Sequence, residues 1–181
     1  MRFCATHVSL LLAALSATAC SDSVAPEPFY DFGRVTASLN PGGLWLSSYF
    51  PDSVVAFYEP VNGRLQIQGQ EVRSASPWPT LQIFVGCRAQ VGGYALSSSI
   101  RLIDNYGAWF SGRLGEDANY SSAGVASDSV WLEEFDPATR IIQGRFHFRG
   151  RRVRGADSVE VEGRFRGHVS VIQRMEPDIC A

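Results

Sequence analysis

Between Arg140 and Val169 the chain reads RIIQGRFHFRGRRVRGADSVEVEGRFRGHV. Ile142, Gly144, Phe146 and Phe148 hold alternate positions in its first half, and Val159, Val161, Gly163 and Phe165 do so in its second. A period of two puts each set on one face of an extended strand, so the stretch predicts two long strands on one core, joined by an arginine-rich turn. The other face carries Arg145, His147, Arg149, Glu160, Glu162 and Arg164. A hairpin of this length commits the chain to β architecture. Elsewhere, short alternating runs recur and no apolar set keeps a helical period for three turns. Strands are expected over 33–39, 44–48, 54–58, 64–70, 80–87, 94–97, 106–113, 125–135, 140–148 and 158–169. Turn residues separate them at Asn40-Pro41-Gly42-Gly43, Asn62-Gly63, Pro77-Trp78-Pro79, Gly92-Gly93 and Asp136-Pro137. The expected fold is all-β, a single antiparallel β-sandwich or flattened barrel of about ten short strands.

The amino end obeys different rules. Residues 1–19 carry Arg2 followed by the apolar run Val8 to Ala19, which ends in small residues and reads as a secretory signal peptide. The run falls short of the roughly 20 residues a membrane span requires. The sequence Leu15-Ser16-Ala17-Thr18-Ala19-Cys20 serves either as an ordinary A-x-A cleavage site or as a bacterial lipobox, and both make Cys20 the first mature residue. Cys4 leaves with the leader, so Cys20, Cys87 and Cys180 remain. A lone thiol is a liability in an oxidising compartment, and lipid on Cys20 leaves one even pair. The expectation is therefore lipidation at Cys20 and a disulfide between Cys87 and Cys180. Residues 20–32, with Pro26 and Pro28, read as anchor and flexible linker, and 33–181 as the β domain. No aspartate follows Cys20 directly, which resembles lipoproteins sent on to the outer membrane of the bacterial cell envelope.

After removal of the leader about 160 residues remain, enough for one domain that buries about two thirds of its unfolded surface. All 16 basic residues are arginine, against 18 acids and a net charge of −2, so no nucleic-acid partner is indicated. Short glycine and aromatic motifs then come in a recognisable order: Asn40 to Trp45, Gly93-Tyr94, Gly144-Arg145-Phe146-His147-Phe148 and Gly163-Arg164-Phe165. This order resembles a family of bacterial lipoproteins known as domain of unknown function 6252, over roughly residues 33–169. The proline at position 41 departs from the family's asparagine-glycine-x-x-tryptophan turn. The resemblance implies a fold and a location, and it brings no activity, cofactor or site residue with it. Within the strands, a glycine beside an aromatic marks a place where the ring covers bare backbone.

No assembled chemistry is legible. His147 and His168 with Asp157 or Glu160 could hold zinc, but they lack the local spacing of a preformed site, and surface histidines are the plainer account. Glu133, Glu134 and Asp136 offer paired carboxylates before an ordinary D-P turn. Gly115 to Asn119 has oxygen ligands without the spacing of an EF-hand loop. Ser97-Ser98-Ser99 reads as a polar loop, since no G-x-S-x-G elbow is present. Arg149, Arg151, Arg152 and Arg154 at the hairpin tip could meet anionic headgroups or an acidic partner, or simply pair with nearby carboxylates. No cofactor and no metal is expected. The expected role is a lipid-anchored, non-catalytic binding or structural module for a small ligand or an envelope protein. The alternative is a lipid-anchored hydrolase whose site assembles only in the fold. Trp45, Tyr94, Trp109 and Trp131 lining a barrel mouth would favour ligand carriage, and a filled core would favour a protein-interaction or structural role.

Overall fold

A computed structural model describes residues 32–49, 51–72, 78–101, 103–111, 119–173 and 178–180. The expected leader, Cys20 and the linker as far as residue 31 lie outside the described residues, as do residues 115–118 of the oxygen-rich loop. Among the described residues there are eleven strands: β1 (Arg34–Asn40), β2 (Gly43–Leu46), β3 (Val54–Glu59), β4 (Arg64–Gln70), β5 (Thr80–Val85), β6 (Gly92–Ala95), β7 (Tyr106–Phe110), β8 (Asn119–Ser122), β9 (Ser129–Asp136), β10 (Ile141–Arg152) and β11 (Ser158–Val171). Their hydrogen-bonded order is β2-β1-β11-β3-β4-β5-β7-β8-β10-β9-β6, and β11 also pairs with β10. Strands β11, β3, β4, β5, β7, β8 and β10 therefore form a circuit, from which β1–β2 and β9–β6 extend. All pairings are antiparallel except β11 with β3.

The long hairpin organises this arrangement. Phe146 faces Gly163 across the β10–β11 ladder, and Phe165 faces Gly144. The Phe165 ring lies over Gly144 so closely that a Cβ there would stand 2.6 Å from its Cζ, and the Phe146 ring covers Gly163 in the same way. The two rings stack with centroids 6.4 Å apart. Each glycine thus makes room for the aromatic opposite it, as cross-strand pairing on one face requires. The β3–β4–β5–β7 side meets this layer through glycines as well: Gly107 lies under Phe148, and Gly69 under Val35 and Trp45. Leu65, Ile67, Leu81, Ile83, Val130, Leu132, Ile142, Phe148 and Phe165 are fully buried, so the middle of the domain is filled.

Two expectations are corrected and one strand is new. Strand β8, with the sequence NYSS, carries no apolar alternation and buries only Ser122, so periodicity gave no sign of it. The expected strand over 125–135 begins instead at Ser129, because Asp128 closes a turn. Its buried carboxylate accepts the backbone N–H groups of Gly124 (2.9 Å) and Val125 (3.3 Å) on one oxygen and that of Arg149 (2.9 Å) on the other. Finally, β10 continues to Arg152, so Arg149, Arg151 and Arg152 are strand residues and only Arg154 stands in the tip. The carboxylate of Asp128 is matched on both oxygens, and an amide has only one acceptor. Asp128→Asn is therefore expected to cost about 1–3 kcal/mol, since one side is left facing an N–H it cannot accept. Urea unfolding checks this, and an unchanged midpoint would remove Asp128 as a structural node.

The carboxyl-terminal tail is fastened at the other side. Cys87 and Cys180 form a disulfide with Cα atoms 5.8 Å apart, joining the end of β5 to the tail. Beside it, Asn62 Oδ1 accepts the Ile179 N–H at 2.6 Å. Asn62 is held in turn by Glu59, 3% exposed, which accepts from Val61 N–H (2.7 Å), Asn62 N–H (3.2 Å) and Asn62 Nδ2 (2.9 Å). Burial pushes the Glu59 carboxyl up, but these hydrogen bonds and the Arg64 charge outweigh it and hold the group below its ordinary value of 4.5. A carboxyl with a lowered folded value contributes stability that is fully present above the ordinary value and is lost as the pH falls through the lowered one. Wild-type protein is thus expected to lose stability on acidification from about pH 4.5 downward, and Glu59→Gln to lose less over the same range. Parallel pH profiles of the two proteins would contradict this.

Candidate functional site

The strand ladders bring two tryptophans together at one end of the domain. Pairing of β1 with β2 sets Trp45 opposite Ala37, and β7 sets Trp109 between Leu81 of β5 and Tyr120 of β8. Both rings turn inward, 5% and 6% exposed. They meet edge to face, with centroids 5.1 Å apart and planes at 78°. Above them opens a cavity of about 660 Å³, whose wall includes Leu39, Leu44, Glu71, Ser111, Tyr120 and Val159. No basic residue belongs to the described lining. Two polar atoms of lining residues, Trp45 Nε1 and Ser111 Oγ, are buried and have no hydrogen-bond partner. Such groups are rare in folded proteins, and each costs about 1–3 kcal/mol when left unmatched.

The expected aromatic mouth is therefore half assembled. Trp45 and Trp109 line the cavity, whereas Tyr94 and Trp131 do not. The Tyr94 hydroxyl accepts the Gln90 N–H (2.7 Å) and donates to the Gln90 carbonyl (2.8 Å). Trp131 lies on the outer face, 47% exposed, with its ring over Gly93. Sequence alone could not separate the two pairs, because Val130, Trp131 and Leu132 are apolar in both phases and only the ladder decides which face is buried.

The histidines do not converge. His147 stands opposite Glu162 and His168 opposite Ile141 on the same hairpin, about 20 Å apart along the strands. His168 Nδ1 lies 2.7 Å from the Asp52 carbonyl, and its ring meets the edge of Phe32. His147 has Nδ1 3.2 Å from the Ser127 carbonyl and Nε2 3.1 Å from Glu160. No group of three or more His, Cys, Asp or Glu residues suited to a metal occurs among the described residues.

Ser129, His147 and Glu162 form a row across β9, β10 and β11 in an outer groove of about 500 Å³. The row does not make a nucleophilic relay in this arrangement. Both imidazole nitrogens are engaged elsewhere, and Ser129 Oγ turns to the Ser127 carbonyl at 3.4 Å. The acidic trio is likewise dispersed. Glu133 sits at a bulge 3.6 Å from Arg145, and Asp136 caps the following turn through the Ala138 N–H, which holds its carboxyl below the ordinary range. Of the four arginines, Arg152 pairs with Asp157 at 2.8 Å and Arg154 is engaged as well, and Arg149, Arg151 and Arg154 are exposed residues.

The cavity and these arginines share one end of the domain. Asn40 pairs with Glu160 there, and Ser158 and Val159 line the cavity. The described chain enters β1 at the opposite end, where Gly33 N–H donates to the Arg166 carbonyl and Arg34 pairs with Arg166. About 20 Å of strand separates the two ends. Compared with family models, with curated proteins and with solved structures, the chain matches none.

Proposed function

We propose that this protein is an exported bacterial envelope protein, lipid-anchored at Cys20, and that its β domain is a non-catalytic module binding a small ligand in the Trp45–Trp109 cavity. The observation that carries the ligand reading is the coincidence of the cavity with two buried polar atoms that the protein leaves unmatched. The volume of this cavity lies in the range of ligand pockets, and two aromatic rings belong to its wall. The anchor reading rests on the run ending Ala17-Thr18-Ala19-Cys20 and on the disulfide, which leaves Cys20 as the odd mature cysteine. The strand polarity supports both parts together, since the end that receives the linker is opposite the cavity. A tether there leaves the cavity and the exposed arginines directed away from the anchoring bilayer. An acidic envelope partner suits those arginines better than the headgroups of the protein's own membrane.

Mass spectrometry of the protein extracted in detergent from its own membranes tests these points. Acyl mass on Cys20 and release of Cys20→Ser into the soluble fraction are expected. A mature chain without acyl mass would end the anchor reading. A non-covalent adduct seen natively and lost on denaturation is expected from the cavity.

A further inference from the structure

We propose that the outward face of β4, β5 and β7 binds an uncharged polysaccharide chain, laid across Gln82 between the Phe84–Tyr106 pair and Phe110. Alternation decides what this face holds. Leu65, Ile67, Leu81, Ile83, Val85 and Trp109 project into the core, so the residues between them face out, and these are partly exposed. The ladders set them in three rows: Gln66 beside Phe84 and Tyr106, Gln68 beside Gln82 and Ala108, and Gln70 beside Thr80 and Phe110. No residue of these rows is charged. The outward positions of β10 and β11 hold Arg145, His147, Arg149, Glu160, Glu162 and Arg164, so a neutral face is not the rule for this chain. Arg64, which opens β4 opposite Glu59, stands outside the rows. The proposal does not depend on the Trp45–Trp109 cavity, because Trp109 projects from the other side of β7.

A groove of about 530 Å³ runs over β5, β7 and β8 on this side. It takes in Gln82, Ala108 and Ser121 of the middle row and the exposed side chains of Ile100 and Val153. Phe84 and Tyr106 stack at one end of the face with centroids 4.4 Å apart, and Phe110 stands about 14 Å from Tyr106 along β7 at the other. The amides between these rings keep bonding capacity. Gln66 Nε2 donates to Gln68 Oε1 at 3.1 Å, while Gln68 Nε2 and the Gln82 amide have no protein partner among the described residues. An amide is donor and acceptor at once and carries no net charge, which matches an alcohol; a carboxylate or phosphate would meet no opposite charge in these rows. The rings offer flat apolar area to the C–H side of a sugar. A protein partner calls for the reverse arrangement, an apolar centre inside a polar rim, whereas here amides hold the centre and rings the ends.

The test uses the mature Cys20→Ser protein labelled with ¹⁵N, with the Gln68 and Gln82 side-chain amides assigned from Gln68→Ala and Gln82→Ala. The probes are cellopentaose, maltopentaose, laminaripentaose and N-acetylated chitopentaose, all uncharged, and the anionic pentagalacturonate. At least one uncharged probe is expected to bind saturably and to move both amides, with pentagalacturonate weaker. Phe110→Ala is expected to reduce that affinity about fivefold or more, the effect of losing an aromatic anchor, and Trp131→Phe, on another face, to leave it unchanged. Should Phe110→Ala fail to fold, Gln82→Ala is expected to weaken binding as well, and the wild-type amide shifts still decide. A response to no uncharged probe, tightest binding of pentagalacturonate, or binding that Phe110→Ala and Gln82→Ala leave intact would overturn the proposal. Movement of the same amides with protein concentration alone would overturn it in favour of a contact between two copies of the chain.

Discussion

Phe165→Ala is expected to lower the stability of the domain by about 3–5 kcal/mol, the range for truncating a fully buried phenylalanine in a core that cannot close over the gap. The ring is 1% exposed, stacks on Phe146 and covers the bare backbone of Gly144. Its loss therefore removes buried apolar area and also uncovers a strand that has no side chain of its own at that point. The same contact can be broken from the other side. A methyl group at Gly144 would run into both the Phe165 ring and the Trp131 carbonyl, and the carbonyl belongs to a paired strand that cannot swing away. Gly144→Ala is expected to be destabilising for that reason, in contrast to the usual benefit of replacing glycine. Urea unfolding with a constant slope measures both. A Phe165→Ala midpoint equal to that of wild type would mean that the stacked pair is not part of the core.

Removing the disulfide should have an effect of comparable size. Cys87 and Cys180 are separated by 93 residues, and closing a loop of that length stabilises by about 4–5 kcal/mol in the chain-entropy account, with measured values often smaller. The double variant Cys87→Ser, Cys180→Ser is expected to remain folded, because the filled core lies elsewhere, and to unfold at a markedly lower urea concentration. The contact between Asn62 Oδ1 and the Ile179 N–H sits next to the bridge, so the tail amide should exchange with solvent faster in the variant. Superimposable unfolding curves would show that the tail is held without the covalent link.

What the sequence disclosed follows from which forces are local. The alternation of Ile142, Gly144, Phe146 and Phe148 against Val159, Val161, Gly163 and Phe165 is a local signal, and it specifies the hairpin, its buried face and its glycine–aromatic pairs. The cysteine pair followed from counting once Cys4 was assigned to a leader and Cys20 to a lipid. Strand β8 was not legible, since Asn119, Tyr120 and two serines become a strand only because Phe110 and Arg152 offer them ladders on both sides. The same holds for the cavity. Trp45 and Trp109 lie in strands joined by no local pattern, and their meeting depends on which edges pair around the circuit. Asp128 was hidden by composition, because a buried aspartate is unfavourable until three backbone N–H groups converge on it, and that convergence is tertiary.

The one parallel pairing carries a consequence for the order in which the molecule can be made. Strand β3 finds its outer neighbour only in the last four residues of β11, where Val171 stands beside Tyr58 and the Asp52 carbonyl meets His168 across 116 residues of chain. A polypeptide synthesised from its amino end can lay down β3, β4 and β5 as a meander early, yet one flank of β3 stays open until the final strand arrives. Strands β1 and β10 wait for the same arrival. Late closure of this kind is slow and leaves sticky edges in the meantime. A chain interrupted before Ser158 is accordingly expected to aggregate rather than to form a smaller domain, and the cell has to guard it until its carboxyl end is complete.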